Sequence, residues 1–141
     1  MWHGSFTAET GGRGEVLDLT GPVEAWIAEE RIAEGHGALF VPGSTAGLTT
    51  LEYEPGVVRD LQECLERLAP AEVPYHHDRA WGDGNGYAHV RAALLGPSLA
   101  FLVRNGKLRR GTWQQLVLCD FDNRPRRRSV EVQVIGRVAD R

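Results

Sequence analysis

From Ser98 onward the chain reads with a period of two, and that commits it to an antiparallel sheet. Ser98–Val103 is a strand, Asn105-Gly106 is the strongest short hairpin signal in the sequence, and Lys107–Arg109 begins the return. Leu116–Phe121 reads as another strand. The turn Asp122-Asn123-Arg124-Pro125 then leads into Val130, Val132 and Val134, which alternate with Glu131 and Gln133. Successive side chains of a strand point to opposite faces, so this alternation sets one face on a core and one near water.

Upstream the period lengthens. Pro55 opens the clearest helix, with Val58, Leu61, Leu65 and Leu68 on one side, Asp60, Gln62, Glu63 and Arg67 on the other, and Pro70 at its end. An earlier helix is expected from Thr20 as its cap, with Pro22 in the first turn, Val23, Trp26 and Ile27 sharing a face, and Gly35 as the stop. Asn85–Leu95 reads as a short helix halted by Gly96-Pro97. Ser5–Thr7 and Glu15–Leu19 around the turn Gly11–Gly14, then Gly37–Val41 and Leu48–Tyr53, supply the remaining strands. With 141 residues, 42 % of them hydrophobic, and no linker or repeat, residues 1–141 form one domain. Its expected class is α+β: a mostly antiparallel β-sheet or sandwich with two or three helices packed on one side.

Composition narrows the functional classes. The formal net charge of -3 gives no overall basic footprint for nucleic acid. No apolar run approaches the roughly 20 residues of a membrane span, and Met1–Phe6 lacks the basic start and apolar core of a signal peptide. Cys64 and Cys119 do not make a disulfide framework and read as small buried side chains, so a reducing cytoplasm is the expected compartment.

Chemistry concentrates in Tyr75-His76-His77-Asp78 and Asp83-Gly84-Asn85-Gly86-Tyr87-Ala88-His89, which hold three of the five histidines. Read as an extended loop, His76 and His77 point to opposite faces, so one of them enters a given site. His89 follows Asn85 by four residues and shares its face if the segment is helical. One paired histidine, His89 and a carboxylate from Asp78 or Asp83 could surround one point. Such a set suits a divalent transition metal, and equally suits general acid–base work near neutral pH. A solvated polar loop is the plain alternative. Gly43-Ser44-Thr45-Ala46-Gly47 is a tight turn whose backbone N–H groups could meet an anion, although no Gly-Lys-Ser/Thr follows to make a P-loop. Arg126-Arg127-Arg128, with Arg124, is the only basic run. Alternation lets at most two of the three face one phosphate, and solvated charges at a sheet edge explain them as well. Trp113 suits a core or subunit contact better than a ligand platform.

Taken together these segments resemble the YjbQ-like family, often labelled secondary thiamine-phosphate synthase. The resemblance is carried by Ser44-Thr45-Ala46 running to Glu52, Tyr75-x-His77-Asp78, and His89 leading through Arg91 to Leu94-Leu95-Gly96. It continues through Ser98-Leu99, Asn105-Gly106, Gly111-Thr112-Trp113-Gln114 and the pair Arg127-Arg128, nearly the whole chain in order. It implies a compact α+β domain that assembles as a homotrimer, with His77, Asp78 and His89 as catalytic residues and as ligands of a divalent metal, Mg or Zn. Glu52 is implied nearby, with Ser44, Thr45, Arg91 and Arg128 on a phosphate. Many relatives carry histidine where this chain has Gly43 and asparagine where it has Leu51. His76, Asn85 or a water are the candidates for the missing histidine's place. The implied reaction joins a hydroxymethylpyrimidine diphosphate to a thiazole phosphate and releases pyrophosphate. The alternative expectation is a non-catalytic trimeric module that binds a phosphorylated metabolite or a protein partner. Neither reading involves nucleic acid or a membrane.

Overall fold

The structure is a computed structural model and describes residues 1–140. Eight strands and four helices follow one another as β1 (Trp2–Thr10), β2 (Glu15–Asp18), α1 (Thr20–Glu29), β3 (Ile32–Phe40), β4 (Ala46–Leu51), α2 (Pro55–Leu68), α3 (His76–Trp81), α4 (Gly86–Leu95), β5 (Ser98–Arg104), β6 (Lys107–Arg109), β7 (Gln115–Asp120) and β8 (Arg126–Val138). The strands make a five-stranded sheet in the order β1-β8-β3-β5-β6 and a three-stranded sheet in the order β2-β7-β4. Every pairing is antiparallel. The α+β class expected from the period change is what the chain adopts.

Alternation along two central strands builds three layers. In β8, Val130, Val132 and Val134 are buried while Glu131, Gln133 and Ile135 are exposed, so the large sheet has one dry face and one wet face. In β7 both faces are dry: Leu116 and Leu118 join the core between the sheets, while Val117 and Cys119 join a second core with Leu65 of α2 and Tyr87, Ala88 and Ala92 of α4. The small sheet is therefore a middle layer, with the large sheet on one side and α2 and α4 on the other. Helix α1 contributes Val23, Trp26 and Ile27 to the core between the sheets. Burying side chains of this size is worth roughly 1.5–3 kcal/mol each. No helix among the described residues is long and apolar enough to cross a membrane.

Helix α2 starts and ends where the sequence places it, with Pro55 at its first position and the Glu54 carboxylate accepting from Gly56 and Val57 N–H, each at 2.8 Å. Those two bonds hold the Glu54 pKa below its ordinary value. The two opening strands flank the turn as expected and lie in different sheets, β1 pairing with β8 and β2 with β7. Other boundaries differ. Helix α1 stops at Glu29 rather than at Gly35, because Arg31 turns the chain with φ 55. Gly35 lies inside β3, where a Cβ would meet Val134 Cγ1 at 2.6 Å, so the glycine serves close strand packing and not a helix end. The segment expected to be an extended loop contains α3, closed by Gly82 in the left-handed conformation at φ 67.

The layering also separates the two thiols. Burial pushes the Cys119 pKa up to about 12, whereas Cys64 is only half-buried. Maleimide at roughly pH 8 is expected to label the folded chain at Cys64 alone, since the thiolate is the nucleophile. Peptide mass spectrometry that finds Cys119 modified in folded protein would contradict this assignment.

Candidate functional site

Successive residues of a helix are turned by about 100°, not 180°. In α3 that rotation leaves His76 exposed and turns His77 and Asp78 inward together. Asp78 Oδ1 accepts from Gly86 N–H at 2.9 Å, tying α3 to the start of α4. Asp83 Oδ1 accepts from Asn85 N–H at 3.2 Å, which fixes the second carboxylate. His77 Nδ1 lies 3.6 Å from Asp78 Oδ1 and 3.4 Å from Asp83 Oδ1. It is buried and has no hydrogen-bond partner. His89, one turn into α4, sets its ring against His77 with centroids 4.3 Å apart and planes tilted by 41°.

These spacings bear on the ion the cluster fits. His77, Asp78 and Asp83 each offer a donor atom, all within 4.8 Å of one another. A tetrahedral zinc ion with bonds near 2.1 Å spaces its donors by about 3.4 Å. A magnesium octahedron at 2.0–2.1 Å spaces neighbouring donors by about 2.9 Å. The two separations from His77, 3.4 and 3.6 Å, lie nearer the tetrahedral spacing than the octahedral one, and the two carboxylate donors lie within 4.8 Å of each other. Asp83 is the third residue that could offer a donor to this group; the ring of His89, a ligand by the family resemblance, packs on the His77 imidazole and is not in the group.

His89 also borders a cavity of about 460 Å³, lined further by Gly43, Ser44, Thr45, Asp83, Asn85, Asn123, Arg124 and Arg126 with Asp122 and Arg128. Its floor is a buried ionic network. Arg128 donates through Nε to Asp120 Oδ2 at 2.7 Å and through Nη2 to Asp120 Oδ1 at 2.8 Å and Thr45 Oγ1 at 2.7 Å. Thr45 Oγ1 donates onward to Asp122 Oδ2 at 3.0 Å, which also accepts from Arg126 Nη1 at 2.8 Å. Thr10 Oγ1 donates to Asp120 Oδ2 at 2.6 Å. Burial alone would raise both carboxyl pKa values, but the opposing contributions win. For Asp120 these are the Arg128 and Thr10 hydrogen bonds, the Asp122 N–H and the Arg128 charge; for Asp122, the Thr45 hydrogen bond, the neighbouring Asn85 amide and the Arg126 and Arg128 charges. Both pKa values are lowered. The hydrogen bond to Asp120 raises that of Arg128. Asn123 N–H donates to Asn85 Oδ1 at 3.1 Å, and Asn123 Nδ2 to the Asp83 carbonyl at 2.7 Å, so the cavity and the His77 cluster share one frame.

The residues expected from the sequence divide accordingly. His77, Asp78 and His89 converge; Thr45 and Arg128 form the cavity floor, with Ser44 exposed at its edge. Arg91 does not face this cavity. It lies two residues beyond His89, about 200° around the helix, where its buried guanidinium is held by Glu66 and the Ala69 carbonyl and lies 4.8 Å over the Tyr87 ring. Glu52 is exposed and outside the lining, and so is His76. Of the basic run, Arg126 and Arg128 face the cavity while Arg127 points the other way to Glu9 at 3.3 Å. Gly43, at φ 108, holds a conformation that a side-chain-bearing residue rarely adopts. Asn85 is buried on the cavity wall, unlike His76. Asp120 and Asp122 are the members that sequence reasoning missed, whereas Arg126 belongs to the basic run it offered to a phosphate. The signal for the two acids was the paired spacing Asp120-x-Asp122 and Arg126-x-Arg128, which sets acids and bases on facing sides of one turn.

Fold and site define a small α+β protein with a histidine–carboxylate cluster beside an arginine-lined cavity. The family model described as UPF0047 protein YjbQ-like matches residues 4–137, and the chain belongs to that family. A UPF0047 protein of Archaeoglobus fulgidus is 39% identical over 129 residues, covering 92% of this chain and 98% of the relative. The UPF0047 protein YugU of Bacillus subtilis is 35% identical, covering 91% and 95%. Among solved structures, a YbjQ-like protein of unknown function from Sulfolobus solfataricus superposes with a TM-score of 0.91 at 30% identity, covering 96% of this chain and 97% of that one. A hypothetical protein from Aeropyrum pernix K1 gives 0.90 at 34% identity, covering 97% and 100%. The family is one of unknown function.

Proposed function

We propose that this protein is a small transferase acting on a phosphorylated metabolite, with a divalent ion at His77, Asp78 and Asp83 and the substrate's phosphoryl group in the adjoining cavity. The reading is carried by His89, whose ring touches His77 on one side and borders the arginine-lined cavity on the other. An ion held beside a phosphoryl site neutralises charge that builds on a leaving group. His89 is within reach of both compartments and is the group to move a proton between them. Arg126, with one nitrogen on Asp122, keeps its remaining N–H groups for an anion, and exposed Ser44 offers a hydroxyl at the rim. The specific reaction is of the thiamine-phosphate synthase type, joining a hydroxymethylpyrimidine diphosphate to a thiazole phosphate with loss of pyrophosphate. The donor spacing favours zinc over magnesium as the resident ion.

The test is elemental analysis of the purified protein together with a coupled assay for thiamine phosphate. A stoichiometric transition ion and product formation that chelation abolishes are the expected results. Tight binding of a thiazole phosphate with no product would favour the alternative, a non-catalytic trimeric module. That alternative draws on a separate observation: the outer face of the five-stranded sheet exposes Phe40, Leu102 and Ile135, at 43, 49 and 64%. Association of subunits, a homotrimer in either reading, would use such a face. Sedimentation equilibrium giving a monomer counts against the trimer in both.

A further inference from the structure

Two polar atoms in the floor of the cavity have no protein partner, and they are of opposite kind. Arg128 is 4% exposed and spends Nε and Nη2 on Asp120 and Thr45; its Nη1 makes no hydrogen bond. A Cβ built on Gly43 would sit 3.1 Å from that nitrogen, so the absence of a side chain there leaves it open on the cavity side. Asp122 is 1% exposed and spends Oδ2 on Thr45 and Arg126; its Oδ1 is buried and unpartnered. Arg124 Nε lies 3.9 Å from that oxygen, too far to donate, and its side chain is mostly in solvent.

An unpaired guanidinium N–H calls for an anion, and an unpaired carboxylate oxygen calls for a donor. An oxyanion with no hydrogen answers the first and is repelled by the second. We propose that this cavity selects an oxyanion that carries its own O–H, inorganic phosphate or the singly ionised form of a phosphoryl ester, and that Asp122 is the residue that rejects oxyanions without one. Near neutral pH inorganic phosphate keeps at least one P–O–H in both of its main ionic forms. Sulfate keeps none. The phosphate hydroxyl donates to Asp122 Oδ1 while its other oxygens accept from Arg128 Nη1 and Arg126. The discrimination rests on the reading that this cavity receives the phosphoryl end of a ligand, and it adds to that reading the protonation state of the group that is bound.

The probes are inorganic phosphate, sulfate and dimethyl phosphate, an anion of the same element with no O–H, titrated calorimetrically into the full chain at fixed ionic strength. A charge-assisted hydrogen bond made by one anion and replaced by repulsion for the other predicts that phosphate binds at least about 10-fold more tightly than sulfate. Dimethyl phosphate is expected to bind no better than sulfate. In Asp122→Asn the amide can donate to an unprotonated oxygen, so sulfate affinity should rise and the ratio should fall to within about 3-fold. Equal affinity of the unmodified protein for phosphate and sulfate overturns the selection and leaves the phosphoryl reading standing. Absence of any phosphate binding overturns both. A folded Asp122→Asn variant that keeps the full ratio removes Asp122 from the role. Should that variant fail to fold, the three anions on the unmodified chain still decide the matter.

Discussion

Replacing Arg128 by methionine is expected to lower the unfolding free energy at neutral pH by about 3–5 kcal/mol, a large part of the roughly 5–15 kcal/mol a domain possesses. The guanidinium is buried and supplies two hydrogen bonds to Asp120 and one to Thr45. Methionine fills similar volume but leaves the Asp120 carboxylate buried against Thr10 alone among side chains. The pH dependence gives the loss a signature. In the unmodified protein Asp120 and Asp122 have lowered pKa values. Their contribution is therefore complete above the unfolded carboxyl value of about 4 and drains away as pH falls through the folded values. Without Arg128, burial dominates at Asp120 and drives its pKa upward, so the ionised form becomes the costly one. The deficit of the variant should be largest at neutral pH and shrink toward pH ~4 as the acid protonates. Urea unfolding at the two pH values measures it. A deficit that is constant or grows on acidification would show that Asp120 is not the group left stranded.

Substituting His77 by alanine should lower divalent-ion affinity by at least 100-fold or so, beyond the 10–100-fold typical of outer-shell partners, while the fold persists. His77 is the only imidazole in the donor cluster, and its Nδ1 is the cluster's buried atom without a partner. Asp78 and Asp83 would remain, each oriented by a backbone N–H, but two carboxylates and water make a harder, weaker site for a zinc-type ion. His89→Ala should separate the two functions. It removes a ring that packs on His77 without offering a donor to the cluster, so ion binding should survive better than turnover. Competition with a chromophoric chelator reads the first quantity and the coupled assay the second. Equal loss of ion from both variants would mean that His89 is a ligand after all.

The sheet and α2 were legible because their signals are periodic and local. Val130, Val132 and Val134 declare a face whatever surrounds them, and Pro55 ahead of the Val58, Leu61, Leu65 and Leu68 stripe marks a helix start on its own. Helix α1 was misread at its end because the turn uses Arg31 at positive φ, which no composition rule anticipates, while Gly35 was cleared for a neighbouring valine. Helix α3 hid because six residues, His76–Trp81, carry no apolar repeat. That mattered for the site, since a helical turn and not an extended one decides that His77 and Asp78 enter together. Arg91 shows the opposite failure: residue type suggested phosphate, and its angle on α4 gave it to Glu66. Asp122 reads as a turn residue in the sequence because burial, which makes it a site residue, is a tertiary property.

The middle position of β7 has one more consequence. Asp120 ends this strand and Asp122 follows after Phe121, so the acids under the cavity are anchored to the segment with apolar cover on both faces. Backbone amides of Val117, Leu118 and Cys119 should be the last in the molecule to exchange with deuterated solvent, because exposing them requires opening both cores at once. The cavity floor inherits that slowness. Any adjustment to an incoming ligand must therefore come from the other wall, where Asp83 and Asn85 have only a few hydrogen bonds to give up.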